Sequence, residues 1–595
     1  MADNNNLYAG RIAQIRSLGY DAVIISGTDP HSSEYPAPRW QQVKWVSGFT
    51  GEAGDLVVTQ DHAGLWTDSR YFIQANQQLA GTGIELHKTR VPEEIPIPLW
   101  LASRFPTKPV RVAFDGLCQS VGAVKTLDKA LRETYGLGGY ELIDKADLLN
   151  DFWLDRPAMP HSDVMWLDEK TMGETRREKI AWLRKELEKK GCGAMFLTSL
   201  DEIAWLLNVR GSDIDYNPYV ISFLLVTQRS VIWFVRNVSD VPEASDVINA
   251  DYAVLEEALE DRHEECGRLF VDPSTLNYHT YKTLCKYFVD TQIEFGESPV
   301  ILRKAVKNKK ELEGFRRACI EDGIAVENFL YWLETSVKSG AHITEWDAAV
   351  HLNSLRAQIN GYRGNSFETI SAYGANAALP HYSTPRDGSA EIKPKGLYLV
   401  DSGGQYLFGT TDITRTVPMG RCSRLEREDY TLVLKCMIDL TLAVFPEGTA
   451  GCQIDALARR PLWVTRRNFG HGTGHGIGFY LGVHEGPQSI RQNFNPQPML
   501  PGMVTSNEPG LYREGKHGIR HENLVLCREE GKSEFGTFLS FETLTCCHID
   551  TSILVKKLMN KSELEWVRAY NRVVYRMLKN RLSPEVARWL KKKCR

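Results

Sequence analysis

Leu397-Tyr-Leu-Val-Asp401-Ser-Gly-Gly-Gln-Tyr-Leu-Phe-Gly-Thr-Thr-Asp412-Ile-Thr-Arg-Thr416 reads as an apolar strand, a glycine-containing turn and a threonine-rich second strand. Such a hairpin sets Asp401 and Asp412 side by side. Two carboxylates brought that close in a half-buried cleft repel and raise each other's pKa unless a cation lies between them. Further ligand-grade side chains follow in order: His475 in His471-Gly-Thr-Gly-His475, Glu508 in Asn507-Glu-Pro-Gly, and Glu522 in Gly518-Ile-Arg-His-Glu522. Four carboxylates and one imidazole form an oxygen-rich set. It suits manganese, cobalt or iron better than a thiolate-built structural zinc site does, and zinc stays an alternative where metal supply decides.

Taken singly these residues say little, since a lone Asp in a hairpin is usually a turn residue and a His among glycines is often packing. As an ordered set they resemble the pita-bread metallopeptidases, the fold of methionine aminopeptidase, prolidase and aminopeptidase P. The resemblance implies that Asp401 chelates one metal, that Asp412 and Glu522 bridge both, and that His475 and Glu508 complete the pair. Every one of these positions carries the expected residue type, which argues against the metal-free branches of the fold such as creatinase and the histone-chaperone modules.

The implied chemistry is hydrolysis by two divalent ions. Metals about 3.5–4 Å apart generate hydroxide near neutral pH and polarise the scissile carbonyl. Glu508 then carries a proton from the water to the leaving amine. His381, in Leu379-Pro-His381-Tyr, and His484, in Leu481-Gly-Val-His484-Glu-Gly-Pro, resemble the family's substrate-contacting histidines and are assigned to the developing oxyanion. His471 lines or supports the cleft. Arg520, two residues before Glu522, orients a bridging carboxylate through a charge-assisted hydrogen bond. The alternating Gly472, Gly474, Gly476 and Gly478 lack the flanking strand and helix, and the Gly-Lys-Ser/Thr ending, of a phosphate loop. They fit a strand that a metal and a substrate backbone approach closely.

A chain of 595 residues exceeds one core and predicts three or four domains. Near its start, Arg11-Ile-Ala-Gln-Ile-Arg-Ser-Leu-Gly19-Tyr-Asp-Ala22-Val-Ile-Ile-Ser26 reads as amphipathic helix, glycine stop and buried strand. Arg177-Glu-Lys-Ile-Ala-Trp-Leu-Arg-Lys-Glu-Leu-Glu-Lys-Lys-Gly191-Cys-Gly-Ala194-Met-Phe-Leu-Thr198 repeats it. The match continues with Val43-Lys-Trp45 against Ile203-Ala-Trp205, and with Leu56-Val-Val-Thr-Gln60 against Leu224-Leu-Val-Thr-Gln228. We read a duplication, with seams near Pro157-Ala-Met-Pro160 and Ser298-Pro-Val-Ile-Leu302. The expected domains are residues 1–158 and 159–303, two related creatinase-like α/β domains, and 304–595, a pita-bread catalytic domain whose C-terminal extension starts near 535. The fold class is α/β (α+β).

That layout resembles the long, three-domain form of aminopeptidase P over essentially the whole chain. Gly404 stands where Ala is expected, and Cys546-Cys-His-Ile-Asp550 lacks an expected proline; neither is a ligand. The resemblance implies an Xaa-Pro aminopeptidase acting on peptides with proline second, with Arg70 reaching toward bound peptide and the first domain walling the cleft so that only a free N-terminus enters. It also implies a homodimer through the C-terminal domain. Prolidase shares the metal set but is not expected to carry the duplicated N-terminal domain. A catalytically silent scaffold would be signalled by broken ligands.

With 71 basic against 75 acidic residues the net charge is −4, which argues against a nucleic-acid partner. No apolar stretch approaches the ~18 residues of a membrane span, and Met1-Ala-Asp-Asn-Asn-Asn6 has no secretory pattern. The reading is a cytoplasmic protein with reduced, mostly buried cysteines. Leu564, Val567, Tyr570, Val573, Val574 and Leu578 recur at helical spacing and predict a packed helix.

Overall fold

A computed structural model describes residues 2–105, 109–236 and 238–595. The chain divides into two compact units. One runs to Asp168 and resumes over Glu174–Val300; the other comprises Glu169–Gly173 and Ile301–Arg595.

The N-terminal unit holds two six-stranded sheets. The first contains β1 (Ala22–Ile25), β2 (Asp55–Thr59), β3 (Ala63–Thr67), β4 (Glu85–Lys88), β5 (Val110–Phe114) and β6 (Tyr140–Asp144), in the order β4-β3-β2-β1-β5-β6. The second contains β7 (Ala194–Leu197), β8 (Ser222–Thr227), β9 (Val231–Val235), β10 (Ile248–Asp251), β11 (Leu269–Val271) and β12 (Ile293–Phe295), in the order β10-β9-β8-β7-β11-β12. Substituting each strand of the second sheet for its counterpart reproduces the first order, as a duplication requires.

The repeated local pattern folds as its residues dictate. Helices Ala2–Arg16 and Arg176–Lys189 each stop just before a glycine in the left-handed region, Gly19 at φ 75° and Gly191 at φ 66°, where a Cβ would be strained. The strands that follow bury both faces. Val23 and Ile25 enter one core while Ala22 and Ile24 enter the core on the opposite side of the sheet. Each fully buried aliphatic side chain contributes ~1.5–3 kcal/mol.

The C-terminal unit contains a 30-residue helix, Lys309–Lys338, whose Asn308 and Glu311 form a capping box. Next comes a three-stranded antiparallel sheet, β13 (Ile370–Tyr373), β14 (Leu397–Ser402) and β15 (Ile413–Pro418), with β14 central. A second sheet is built from β16 (Gly474–Gly476), β17 (Glu485–Ile490), β18 (Val504–Asn507), β19 (Asn523–Ser533) and β20 (Gly536–Thr543), with Phe445–Pro446 outside β20 and the order β20-β19-β18-β16-β17.

The turn expected between Asp401 and Asp412 is more elaborate than a turn. Its residues form two short strands, Gly404–Tyr406 and Gly409–Thr410, in a separate sheet with Tyr362–Asn365. A segment this long must pair its backbone groups somewhere, and it does so sideways while β14 and β15 still meet.

The C-terminal extension is fastened to the catalytic frame by buried polar contacts. Glu327 of the long helix accepts hydrogen bonds from the His548 amide, 2.7 Å, and from His548 Nδ1, 2.8 Å. Helix Lys561–Leu578 buries Val567, Tyr570, Val574 and Leu578 in the core and leaves Val573 on the surface. Of the twelve cysteines nine are buried and all are free thiols. Among the described residues no helix is long and apolar enough to cross a membrane.

Candidate metal centre

Register brings the first two carboxylates together. On the antiparallel β14–β15 pair, Asp401 faces Thr414 and Ser402 faces Ile413, so Asp412 lies one step before the strand that flanks Asp401. His475 stands in β16, and Glu508 directly follows β18. These strands approach so closely that a Cβ on Gly474 would lie 1.9 Å from the Ser506 carbonyl oxygen, and the Glu508 amide donates to the Thr473 carbonyl at 2.8 Å. Only glycine allows that approach. Glu522 closes the ring: its amide donates to the Thr414 carbonyl at 3.2 Å and its Oε2 accepts from Thr414 Oγ1 at 2.7 Å.

The five side chains form one charged cluster. His475 Nε2 lies 3.2 Å from Glu508 Oε1 and 3.6 Å from Asp412 Oδ2. Ligand atoms of Asp412, His475 and Glu522 fall within 4.8 Å of one another. Burial, with Asp401 and Glu508 beside it, pushes the Asp412 carboxyl well above the usual range. Burial, then Asp412, Glu508 and Asp401, do the same to Glu522. Burial also raises Glu508, but its hydrogen bond and charge pairing with His475 win and bring it to about 2. Among the described residues, Asp401 Oδ1 and Glu522 Oε1 are buried without a hydrogen-bond partner. Orphaned oxygens among mutually repelling carboxylates are what a pair of hard cations satisfies, so the residues fit the metals the sequence predicts.

Metal removal therefore has a signed pH dependence. With Asp412 and Glu522 raised, the metal-free fold keeps protons that the unfolded chain sheds above about pH 4.3. Stability of the metal-free protein falls as pH rises, and the gain from metal grows. Glu508, held at about 2, changes its contribution only below about pH 4.3. The shift in melting temperature between chelated and Mn2+-loaded protein is expected to be larger at about pH 8 than at about pH 5; the opposite slope would remove this electrostatic account.

Arg520 anchors the cluster from behind, through Asp401 rather than through the bridging carboxylate the sequence reading assigned to it. Its Nε and Nη2 both donate to Asp401 Oδ2, its Nε to Thr414 Oγ1 at 3.1 Å, and its Nη1 to the Tyr512 hydroxyl at 2.7 Å. Tyr512 in turn meets His471 Nε2 at 2.8 Å. His471 is a support of this network, and burial lowers its pKa to about 4. The His484 ring sits edge-on to His475 with centroids 4.3 Å apart. His381 follows Pro380, whose carbonyl accepts from Arg520 Nη2 at 3.3 Å. Arg70 belongs to the N-terminal unit, where Asp68 grips it with contacts of 2.9 and 2.8 Å and Glu34 stands 3.8 Å away.

Sequence reasoning missed Tyr512, Thr414 and Arg415. Alternation along β15 carried a signal for the threonines: Asp412, Thr414 and Thr416 share a face, and Thr416 Oγ1 donates to the Arg520 carbonyl at 2.9 Å. Nothing in the pattern around Tyr512 marks it. Replacing Tyr512 by Phe takes one partner from Arg520 and one from His471 and is expected to lower kcat/KM ~10-fold or more, the usual cost of losing an orienting group behind a metal ligand. Unchanged kinetics would show that Arg520 holds Asp401 unaided.

Residues 313–529 match metallopeptidase family M24, 537–595 match the C-terminal region of that family, and 11–149 and 155–311 each match a creatinase/prolidase N-terminal domain. The chain is 37% identical to a probable Xaa-Pro aminopeptidase P of Laccaria bicolor over 603 residues, covering 98% of this chain and 93% of the other. This chain belongs to the aminopeptidase P group of family M24. Aminopeptidase P2 of Arabidopsis thaliana is also 37% identical, across 94% of this chain and 83% of its own length. The aminopeptidase P fold is shared over 99% of both chains, at TM-score 0.93 and 34% identity, with an X-prolyl aminopeptidase of Caenorhabditis elegans described as a cytosolic enzyme with a di-nuclear active site. Two creatinase-like α/β regions ahead of a pita-bread domain, and a metallopeptidase, are thus what the sequence encodes.

Proposed function

We propose that this chain is an Xaa-Pro aminopeptidase that hydrolyses the bond between an N-terminal residue and a following proline with two divalent metals, Mn2+ by preference. The observation that carries the reading is the convergence of two buried, unpartnered carboxylate oxygens, Asp401 Oδ1 and Glu522 Oε1, with Asp412, Glu508 and His475. Proline selectivity is supported by the names of the Laccaria and nematode relatives. A cytosolic setting is supported by the description of the nematode enzyme. Assembly as a homodimer through the C-terminal domain completes the proposal and is checked by light scattering.

Asp401, Asp412, His475, Glu508 and Glu522 would hold the metals. Bound there, the ions supply a Lewis acid for the scissile carbonyl and acidify a water. Glu508, ionised in the fold, accepts the proton of the attacking water and delivers it to the prolyl nitrogen. That nitrogen belongs to a tertiary amide and has no hydrogen of its own until then. His381 and His484 donate to the carbonyl oxygen as charge develops on it. Arg520 keeps Asp401 in one rotamer through two donors to the same oxygen.

The test is release of the first residue from Arg-Pro-Pro, from Arg-Ala-Ala and from an Xaa-Pro dipeptide, by metal-stripped protein with and without Mn2+. Metal-dependent cleavage of Arg-Pro-Pro over Arg-Ala-Ala is expected. Cleavage confined to the dipeptide would make the chain a dipeptidase, equal cleavage of both tripeptides would remove proline selectivity, and no cleavage with metal bound would leave a silent scaffold.

A further inference from the structure

A second cluster of metal-ligating side chains lies on the first N-terminal sheet. Parallel pairing of β3 with the edge strand β4 sets Trp66 opposite His87 and Gly64 opposite Glu85, and His62 stands just before β3. The two imidazoles converge, with His62 Nε2 3.1 Å from His87 Nε2. Glu85 Oε2 is 3.7 Å from His62 Nδ1, and one ligand atom from each of the three residues lies within 4.8 Å of the others.

The rings are held in place. His87 stacks on Trp66 with centroids 3.8 Å apart and 7° between planes, and Trp100 packs against both imidazoles at 5.8 and 5.0 Å. Gly64 leaves room beneath them, since a Cβ there would lie 2.7 Å from His62 Nε2 and 2.8 Å from His87 Nε2. Fixed ligand rotamers are what a metal site requires of its surroundings.

Nitrogens this close either share a proton or aim two lone pairs at one cation. Metal–imidazole bonds of about 2.0–2.1 Å put the nitrogens about 2.9 Å apart at a right angle and about 3.4 Å apart at the tetrahedral angle. The observed 3.1 Å falls between. Burial lowers the pKa of both rings, so both are neutral and ligand-competent at neutral pH. The Glu85 side chain is 70% exposed and free to turn onto the ion.

We propose that His62, His87 and Glu85 bind a divalent transition-metal ion of the imidazole-preferring class, zinc, copper or nickel. The ion clips edge strand β4 to the turn before β3 across one face of the sheet. None of these residues takes part in the peptidase chemistry.

Zinc retained per chain after equilibrium dialysis, counted by elemental analysis, tests the site. His62→Gln and His87→Gln are each expected to retain one zinc fewer than the unsubstituted protein, with peptidase activity of the Mn2+-loaded enzyme unchanged. Equal zinc counts in all three proteins overturn the proposal and leave a hydrogen-bonded histidine pair. The unsubstituted protein gives an independent reading if neither variant folds. At saturating Cu2+, its paramagnetic resonance spectrum is expected to contain a component coupled to two imidazole nitrogens that is lost on acidification below the ring pKa values. A spectrum without that component sinks the site.

Discussion

Glu522→Gln is expected to lower kcat/KM on an Xaa-Pro peptide by at least about three orders of magnitude, equivalent to ~4 kcal/mol of transition-state stabilisation. It is also expected to reduce the metal retained per chain. Glu522 Oε2 is already engaged by Thr414 Oγ1 while Oε1 has no partner among the described residues. An amide keeps the size of the group but deletes the charge and puts an N–H donor near Asp412 and Glu508. Stability should move the other way in the metal-free protein: burial and the neighbouring carboxylates raise the Glu522 carboxyl, so an amide, neutral without a bound proton, removes the cost of keeping it protonated and the chelated variant should melt no lower than the chelated parent. Full activity with undiminished metal content would exclude Glu522 from the ligand set.

Arg415→Met is expected to destabilise the C-terminal unit by ~3–5 kcal/mol, because the arginine is buried and its removal orphans acceptors that cost ~1–3 kcal/mol each. Only 1% of Arg415 is exposed. Its Nη1 donates to the Glu522 carbonyl at 2.6 Å; Nη2 reaches the Cys547 carbonyl at 2.8 Å, Asn523 Oδ1 at 2.9 Å and the Tyr570 hydroxyl at 3.0 Å; Nε reaches the His548 carbonyl at 3.0 Å. One guanidinium thus ties a bridging-ligand candidate to the C-terminal extension. Arg415→Lys should recover only part of the loss, since an ammonium lacks the planar fork. Denaturant unfolding reads the effect, and a change below about 1 kcal/mol would mean the extension docks without this contact.

Legibility in the sequence followed the range of the interactions. The helix–glycine–strand pattern at Arg11–Ser26 and its echo at Arg177–Thr198 were readable because periodicity and a stop residue act within a few positions. The ligand types were readable because metals demand them. Tyr512 was invisible because its value lies in two partners, Arg520 and His471, that only a folded chain brings to it. The strands between Asp401 and Asp412 were hidden for a similar reason: their pairing partner, Tyr362–Asn365, precedes them by many residues.

The amino-acid sequence by itself determined the residue chemistry of the centre, the duplication ahead of it and the family to which the chain belongs, since composition, order and spacing are properties of the chain. Tertiary structure decided how the carboxylates share their surroundings. It raises Asp412 and Glu522, lowers Glu508, leaves Asp401 Oδ1 and Glu522 Oε1 without partners among the described residues and sets Arg415 and Arg520 behind them. Burial and charge proximity depend on distance in space, and distances across more than a hundred residues of sequence exist only once the sheets have formed.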